Sequence, residues 1–189
     1  MRTHWTVIAM LLCVAVGCSR SVPPGPELAT AATIKDLMDA MVDPSAEYLF
    51  DNIVEIVDEK GIIDKTPKTN AEWKEVRRRA LMLVEAPNLL VTPGRKVSQP
   101  GEKAEYPEVE LGPEQIQKLI DDDRDAFVRR ARRLQDAATL ALKAIDARDK
   151  KELFAKLGDV DKACESCHLH YWYPNDKRAR EAAKEDGVD

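Results

Sequence analysis

Apolar residues recur at helical spacing in four stretches of the chain, the pattern expected of amphipathic helices that share one core. The first stretch runs roughly from Thr33 to Lys60, with Ile34, Leu37, Met38, Met41, Leu49, Ile53, Ile56 and Val57 along one side. Asp43-Pro44 interrupts it; Asp caps a helix start and Pro fits a first turn, so a kink or restart is expected there. Gly61 is a natural stop. The second stretch opens on Thr69-Asn70-Ala71-Glu72, a capping-box pattern, sets Trp73, Val76, Ala80, Leu83 and Val84 on its apolar face, and is expected to end at Pro87. The third starts at Gly112-Pro113-Glu114 and keeps Ile116, Leu119, Ile120, Phe127, Ala131, Leu134, Ala138, Leu142 and Ile145 in phase for about eight turns. The fourth begins near Lys150, carries Leu153, Phe154, Leu157, Val160, Cys164, Cys167, His168 and Tyr171 on one face, and stops at Pro174. No internal repeat and no β-hairpin signal stands out. The expectation is an all-α fold, an antiparallel four-helix bundle over residues 33–175, with a charged tail at 176–189 that frays.

The connection from Asn88 to Leu111 is rich in Pro, Gly and Ser and has little periodicity. A loop of that length inside a compact domain calls for a role, such as covering a cofactor or a partner site.

The N-terminus reads differently. Residues 1–17 have the form of a lipoprotein signal peptide: Arg2 supplies a positive start, and Val7 to Val16 form an apolar run too short to span a bilayer. Ala15-Val16-Gly17-Cys18 resembles a bacterial lipobox, which makes Cys18 the lipidated mature N-terminus; Cys13 follows bulky Leu12 and does not fit. Residues 18–32, with Pro23, Pro24, Gly25 and Pro26, then form the lipidated cysteine and a flexible tether. The expected location is the periplasm, anchored by lipid to a bacterial membrane, with Ser19 favouring the outer one.

Composition agrees with a helical domain. Apolar residues make up 44% and aromatics only 5%, which favours helices over strands. A net charge of −5, with no polybasic run, argues against nucleic acid and against an anionic-lipid face. The Arg77-Arg78-Arg79 and Arg129-Arg130 to Arg132-Arg133 clusters are interleaved with apolar positions and read as solvated helix faces or a dock for an acidic redox partner. No Ser/His/Asp set, phosphate loop or pair of catalytic carboxylates stands out, so no enzyme activity is expected.

The chemistry lies in Cys164-Glu165-Ser166-Cys167-His168, a C-x-x-C-H sequence of the kind that attaches c-type haem. Positions three and four apart share a helix face, so both sulfurs and the imidazole point the same way. The thiols can then add to the two haem vinyls while His168 reaches the iron as axial ligand. Two other readings are weaker. A redox disulfide between Cys164 and Cys167 lacks a surrounding βαβ pattern, and a zinc site of Cys164, Cys167, His168 and His170 is crowded into seven residues.

A haem motif near the C-terminal end of the last helix of a four-helix bundle resembles the cytochrome c-prime family. The local match includes Gly158 upstream and His168-Leu169-His170-Tyr171, and it departs at Trp172, where the family commonly has a basic residue beside the haem. The resemblance implies one covalent haem c with iron, and a sixth coordination position facing the first helix. Met38 and Met41 lie there; Met38 is preferred as second axial ligand because it is farther from Asp43-Pro44, Met41 is the alternative, and Met82 a distant third. Core packing is the competing role for all three. Phe50, Leu37, Phe127 and Tyr171 are either haem walls or plain core packing, and Arg95 and Lys96 are either propionate partners or solvated surface. His170 points away from His168 on a helix and is expected to be exposed.

The implied function is single-electron transfer with periplasmic or membrane redox proteins as partners. The alternative is a five-coordinate haem that binds or senses NO or CO, and a weaker idea is a subunit of a membrane redox complex docking through the 88–111 loop. Family members often pair through their first two helices, which is compatible with a homodimer.

Overall fold

In the computed structural model, residues 28–58, 61–185 and 187 are described. The residues read as a lipoprotein signal peptide, Cys18 and most of the stretch read as a tether lie outside them. The first bundle helix is composite. Thr33 caps α1 (Ile34–Leu37) with a complete box: its hydroxyl accepts from Asp36 N at 3.0 Å and Asp36 Oδ2 accepts from Thr33 N at 2.9 Å. A π turn, Met38–Val42, follows, and α2 (Asp43–Asn52) restarts with Pro44 in its first turn. Proline lacks an N–H and crowds the carbonyl four residues back. Widening the preceding turn, so that Asp43 N donates to Met38 O, lets the helix pass Pro44 without breaking.

Helix 1 ends at Asn52, eight residues earlier than its apolar spacing suggested. The chain beyond forms an antiparallel hairpin of β1 (Glu55–Asp58) and β2 (Gly61–Asp64), pairing Ile56 with Ile63 and Val57 with Ile62. The correction has a local cause. Ile53-Val54-Glu55-Ile56-Val57 and Ile62-Ile63 are dominated by β-branched residues. Gly61, at φ +129°, takes a conformation that disfavours a side chain.

Helix α3 (Asn70–Leu90) carries the expected Thr69–Glu72 box and buries Trp73, Val76, Ala80 and Leu83. Pro87 does not end it but is buried within it, three residues before its end. The carbonyl deprived of its helical donor by Pro87 is that of Leu83, and at the next residue the Gln135 side-chain amide donates to Val84 O at 2.9 Å.

The third apolar stretch is two helices, not one. Asp123, at φ −139° and ψ 74°, leaves helical geometry and caps α5 (Arg124–Ala147) through Ala126 N at 2.8 Å, separating it from α4 (Pro113–Asp122). The break lets α4 fold over one end of the bundle. Helix α6 (Lys150–Tyr171) follows a two-residue turn in which Arg148 is left-handed and Asp149 is the cap. Instead of fraying, the tail forms α7 (Lys177–Glu185), with Ala183 buried. No helix among the described residues is long and apolar enough to cross a membrane.

The composite helix 1, α3, α5 and α6 form the bundle, and two clusters fill it. The larger contains Leu49, Val76, Leu83, Leu134, Ile145, Leu153, Leu157 and Val160. Fully burying each leucine contributes about 1.5–3 kcal/mol. The smaller joins Leu37, Leu90, Val97, Ile120, Phe127 and Tyr171 at the end that α4 covers.

The 88–111 connection is tied into this second cluster. Ile34 N donates to Lys96 O at 2.8 Å, Lys35 N to Val97 O at 2.9 Å, and Leu111 N to Trp172 O at 2.7 Å. Arg95 is neither a solvated surface residue nor a free cation facing a cofactor. It is 7% exposed, and its guanidinium donates to Leu89 O at 2.7 Å and to Ala32 O. Arg95→Met leaves both carbonyls without that donor and is expected to cost about 1–3 kcal/mol. Denaturant titration checks the cost, and faster protease cleavage between residues 91 and 112 is the accompanying sign.

Candidate functional site

Along α6 the inward stripe runs Leu153, Leu157, Val160, Cys164, Cys167 and Tyr171, at alternating steps of four and three. Phe154, expected on this face, instead points outward and is 60% exposed. One turn of register places the two thiols on different clusters: Cys164 packs against the larger and Cys167 against the smaller. Met38 and Met41 pack against both. The four predicted sulfur side chains therefore share the seam between the two clusters, the methionines touching both and each cysteine one. Helix 1 departs from ordinary α geometry at the two methionines, and π turns recur at functional sites.

Neither cysteine is fully covered, and His168 is half-buried beside them. Burial pushes the Cys164 thiol up to about 12, with the neighbouring Cys167 adding to it. Burial likewise raises Cys167 to about 11, opposed by the charge of Arg130. Burial lowers His168 to about 4. At neutral pH the chain thus presents two S–H groups and a neutral imidazole, the forms suited to thioether formation and to ligation of iron.

The surroundings sort the remaining candidates. Leu37, Phe127 and Tyr171 belong to the smaller cluster, where the Phe127 and Tyr171 rings meet edge-on at 5.6 Å; Phe50 packs on the larger one. Met82 accepts a hydrogen bond from Ser45 Oγ at 3.4 Å and packs on neither cluster. Lys96 is exposed, and His170 is exposed with its ring 4.5 Å from that of Tyr171.

Three residues make contacts at the site that the sequence did not assign to them. Arg130, read there as part of a solvated cluster, reaches the motif itself and donates to Ser166 O at 3.2 Å and Ser166 Oγ at 2.8 Å. Tyr173 turns back from beyond α6 and donates to Glu165 Oε2 at 2.7 Å. Burial raises its phenol, reinforced by the Glu165 carboxylate. Trp172, standing where the resembled family commonly has a basic residue, packs edge-on against His168 at 5.1 Å.

The zinc reading finds no support in the geometry, since no three His, Cys, Asp or Glu side chains converge among the described residues. A haem fits better. The Tyr171 hydroxyl is buried with no hydrogen-bond partner among the described residues, beside Cys167 in the same cluster. A polar group left so in a dry cluster suits a site completed by a further component. The donor set of two thiols and one neutral imidazole is that of a c-type haem. A separate groove of about 1080 Å³, bounded by Thr30, Val97, Pro107 and Gln117, touches none of these residues.

Residues 102–172, from the end of the covering loop through α4, α5 and α6, match the family model for cytochrome c-prime. No curated protein and no solved structure matches the chain. Proteins of the matched family carry covalently attached haem c with iron, act in electron transfer or gas binding, and are typically periplasmic. The matched segment holds the C-x-x-C-H motif on the last bundle helix, and over that segment the chain is similar to the cytochrome c-prime family.

Proposed function

We propose that this protein is a single-electron carrier of the periplasm, a binding protein rather than an enzyme, with one haem c held by Cys164 and Cys167 and His168 as axial ligand. Met38 is the second axial ligand in this reading and Met41 the alternative. The observation that carries it is the seam, where the two methionines on the π turn pack against both clusters that receive the cysteines. A thioether is a soft donor that favours ferrous iron and raises the reduction potential.

The haem supplies the redox chemistry when bound. The chain's residues do the rest. Cys164 and Cys167 tether the group, while the neutral His168 side chain offers a lone pair. Leu37, Phe127 and the aliphatic residues around them exclude water, and the 88–111 loop with α4 covers that end of the bundle. Lipidation of Cys18 would hold the domain near membrane redox partners.

Optical spectra of oxidised and reduced holoprotein, alongside Met38→Ala and Met41→Ala, test the proposal. The expected result is a low-spin spectrum with a methionine–iron charge-transfer band that disappears in one variant only. A high-spin spectrum indifferent to both substitutions but shifted by NO or CO would replace electron transfer with gas binding. That second reading draws on the same seam, because two methionines confined to packing would leave an apolar face opposite His168.

A further inference from the structure

Helix α6 closes at Tyr171, and the next two residues wrap back over its last turn. Trp172 N and Tyr173 N both donate to His168 O, at 2.8 and 3.0 Å. The wrap delivers the Tyr173 phenol to two side chains of the motif segment. Its oxygen donates to Glu165 Oε2 at 2.7 Å and lies 3.5 Å from His168 Nδ1. Glu165 and His168 are three residues apart on one helix face, so a single phenol can reach both. Trp172 stands perpendicular to the imidazole on another side, with ring centroids 5.1 Å apart. Among the described residues, Nε2 takes no hydrogen bond.

The direction of these contacts follows from their donors. The phenol has one proton, and a carboxylate 2.7 Å away takes it. Tyr173 Oη therefore faces Nδ1 with a lone pair and can only accept from it. The matching tautomer carries its proton on Nδ1 and leaves the Nε2 lone pair uncommitted.

We infer that Tyr173, held in place by Glu165, is a positioning residue for His168: it fixes the ring and the Nδ1–H tautomer that turn Nε2 toward iron, and it strengthens the imidazole as a donor. This rests on the reading of His168 as axial ligand. One of the variable positions inside C-x-x-C thereby acquires a role, because Glu165 acts on His168 through the phenol. An outer partner of this kind tunes the metal through the ligand it orients. A stronger imidazole donor favours ferric iron, so the relay holds the reduction potential below the value the same ligands would otherwise give.

The test uses haem-loaded protein and three variants, Tyr173→Phe, Glu165→Gln and the two combined. Reduction potential is measured by spectroelectrochemistry. Solvent exchange of the His168 Nδ1–H is measured by nuclear magnetic resonance in the diamagnetic ferrous state, as the carbonyl adduct if the iron is otherwise high-spin. Tyr173→Phe should raise the potential and speed exchange on the order of tenfold, the protection of about one hydrogen bond. Glu165→Gln should move both in the same direction by less, and the combined variant should match Tyr173→Phe because Glu165 acts only through the phenol. A purely structural role would lower thermal stability and leave potential and exchange alone. Wild-type potential and exchange in Tyr173→Phe would overturn the inference. If that variant does not mature, the same result in Glu165→Gln overturns it. Failure of the axial-ligand reading is separable, since His168→Ala would then keep the wild-type spectrum.

Discussion

Replacing Cys164 and Cys167 together by alanine abolishes covalent haem attachment, the largest effect expected of any change in this chain. The other two of its four cysteines, Cys13 and Cys18, lie before the bundle and cannot substitute. Haem-dependent staining of a denaturing gel reads the outcome directly. Each single variant should retain haem through the remaining thioether, with a shifted alkaline pyridine haemochrome band. The polypeptide should stay helical in all three, because the larger cluster is built mainly from Leu49, Val76, Leu83, Leu153 and their neighbours, with Cys164 only packed against its edge. Haem still resistant to denaturation in the double variant would refute attachment at this motif.

The largest stability effect is expected at Leu153, which has no exposed surface and opens the inward stripe that leads to the cysteines. Leu153→Ala should lower unfolding free energy by about 2–5 kcal/mol, the sum of lost transfer energy and the cavity left behind. Phe154→Ala, one residue along and 60% exposed, should stay within about 0.5 kcal/mol of wild type. Urea titration of both checks the register of α6. A comparable loss in the two variants would mean that the helix is rotated from the orientation described, and would move Cys164 and Cys167 away from the methionine seam.

The register itself was legible for most of the bundle. Trp73, Val76, Ala80 and Leu83, or Leu134, Ala138 and Ile145, recur at steps of three and four, and burial follows those steps. The C-x-x-C-H motif and the capping residues Thr33 and Thr69 are local too, since a cap is satisfied by atoms within three residues. Misreadings came where apolar spacing was compatible with more than one backbone. Ile53 to Val57 can line a helix or pair as a strand, and the β-branched run settles as a hairpin. Ile116 to Ile145 stay in helical phase across Asp123, so periodicity alone could not reveal the break. Pro87 lies buried within α3 near its C-terminal end, packed among residues of other elements that no spacing along the helix reveals.

The sequence by itself determined the helical class, the faces that become core, the haem motif and the pair of methionines available to oppose it, because each depends on residue type and spacing along one element. Only the tertiary structure decided that Met38 and Met41 meet both cysteine clusters, that Arg95 locks the long loop, and that Arg130 and Tyr173 reach the motif. Those contacts join residues whose relative positions are set by packing between elements and by the path of the chain beyond a helix end. No periodicity within a single helix encodes them.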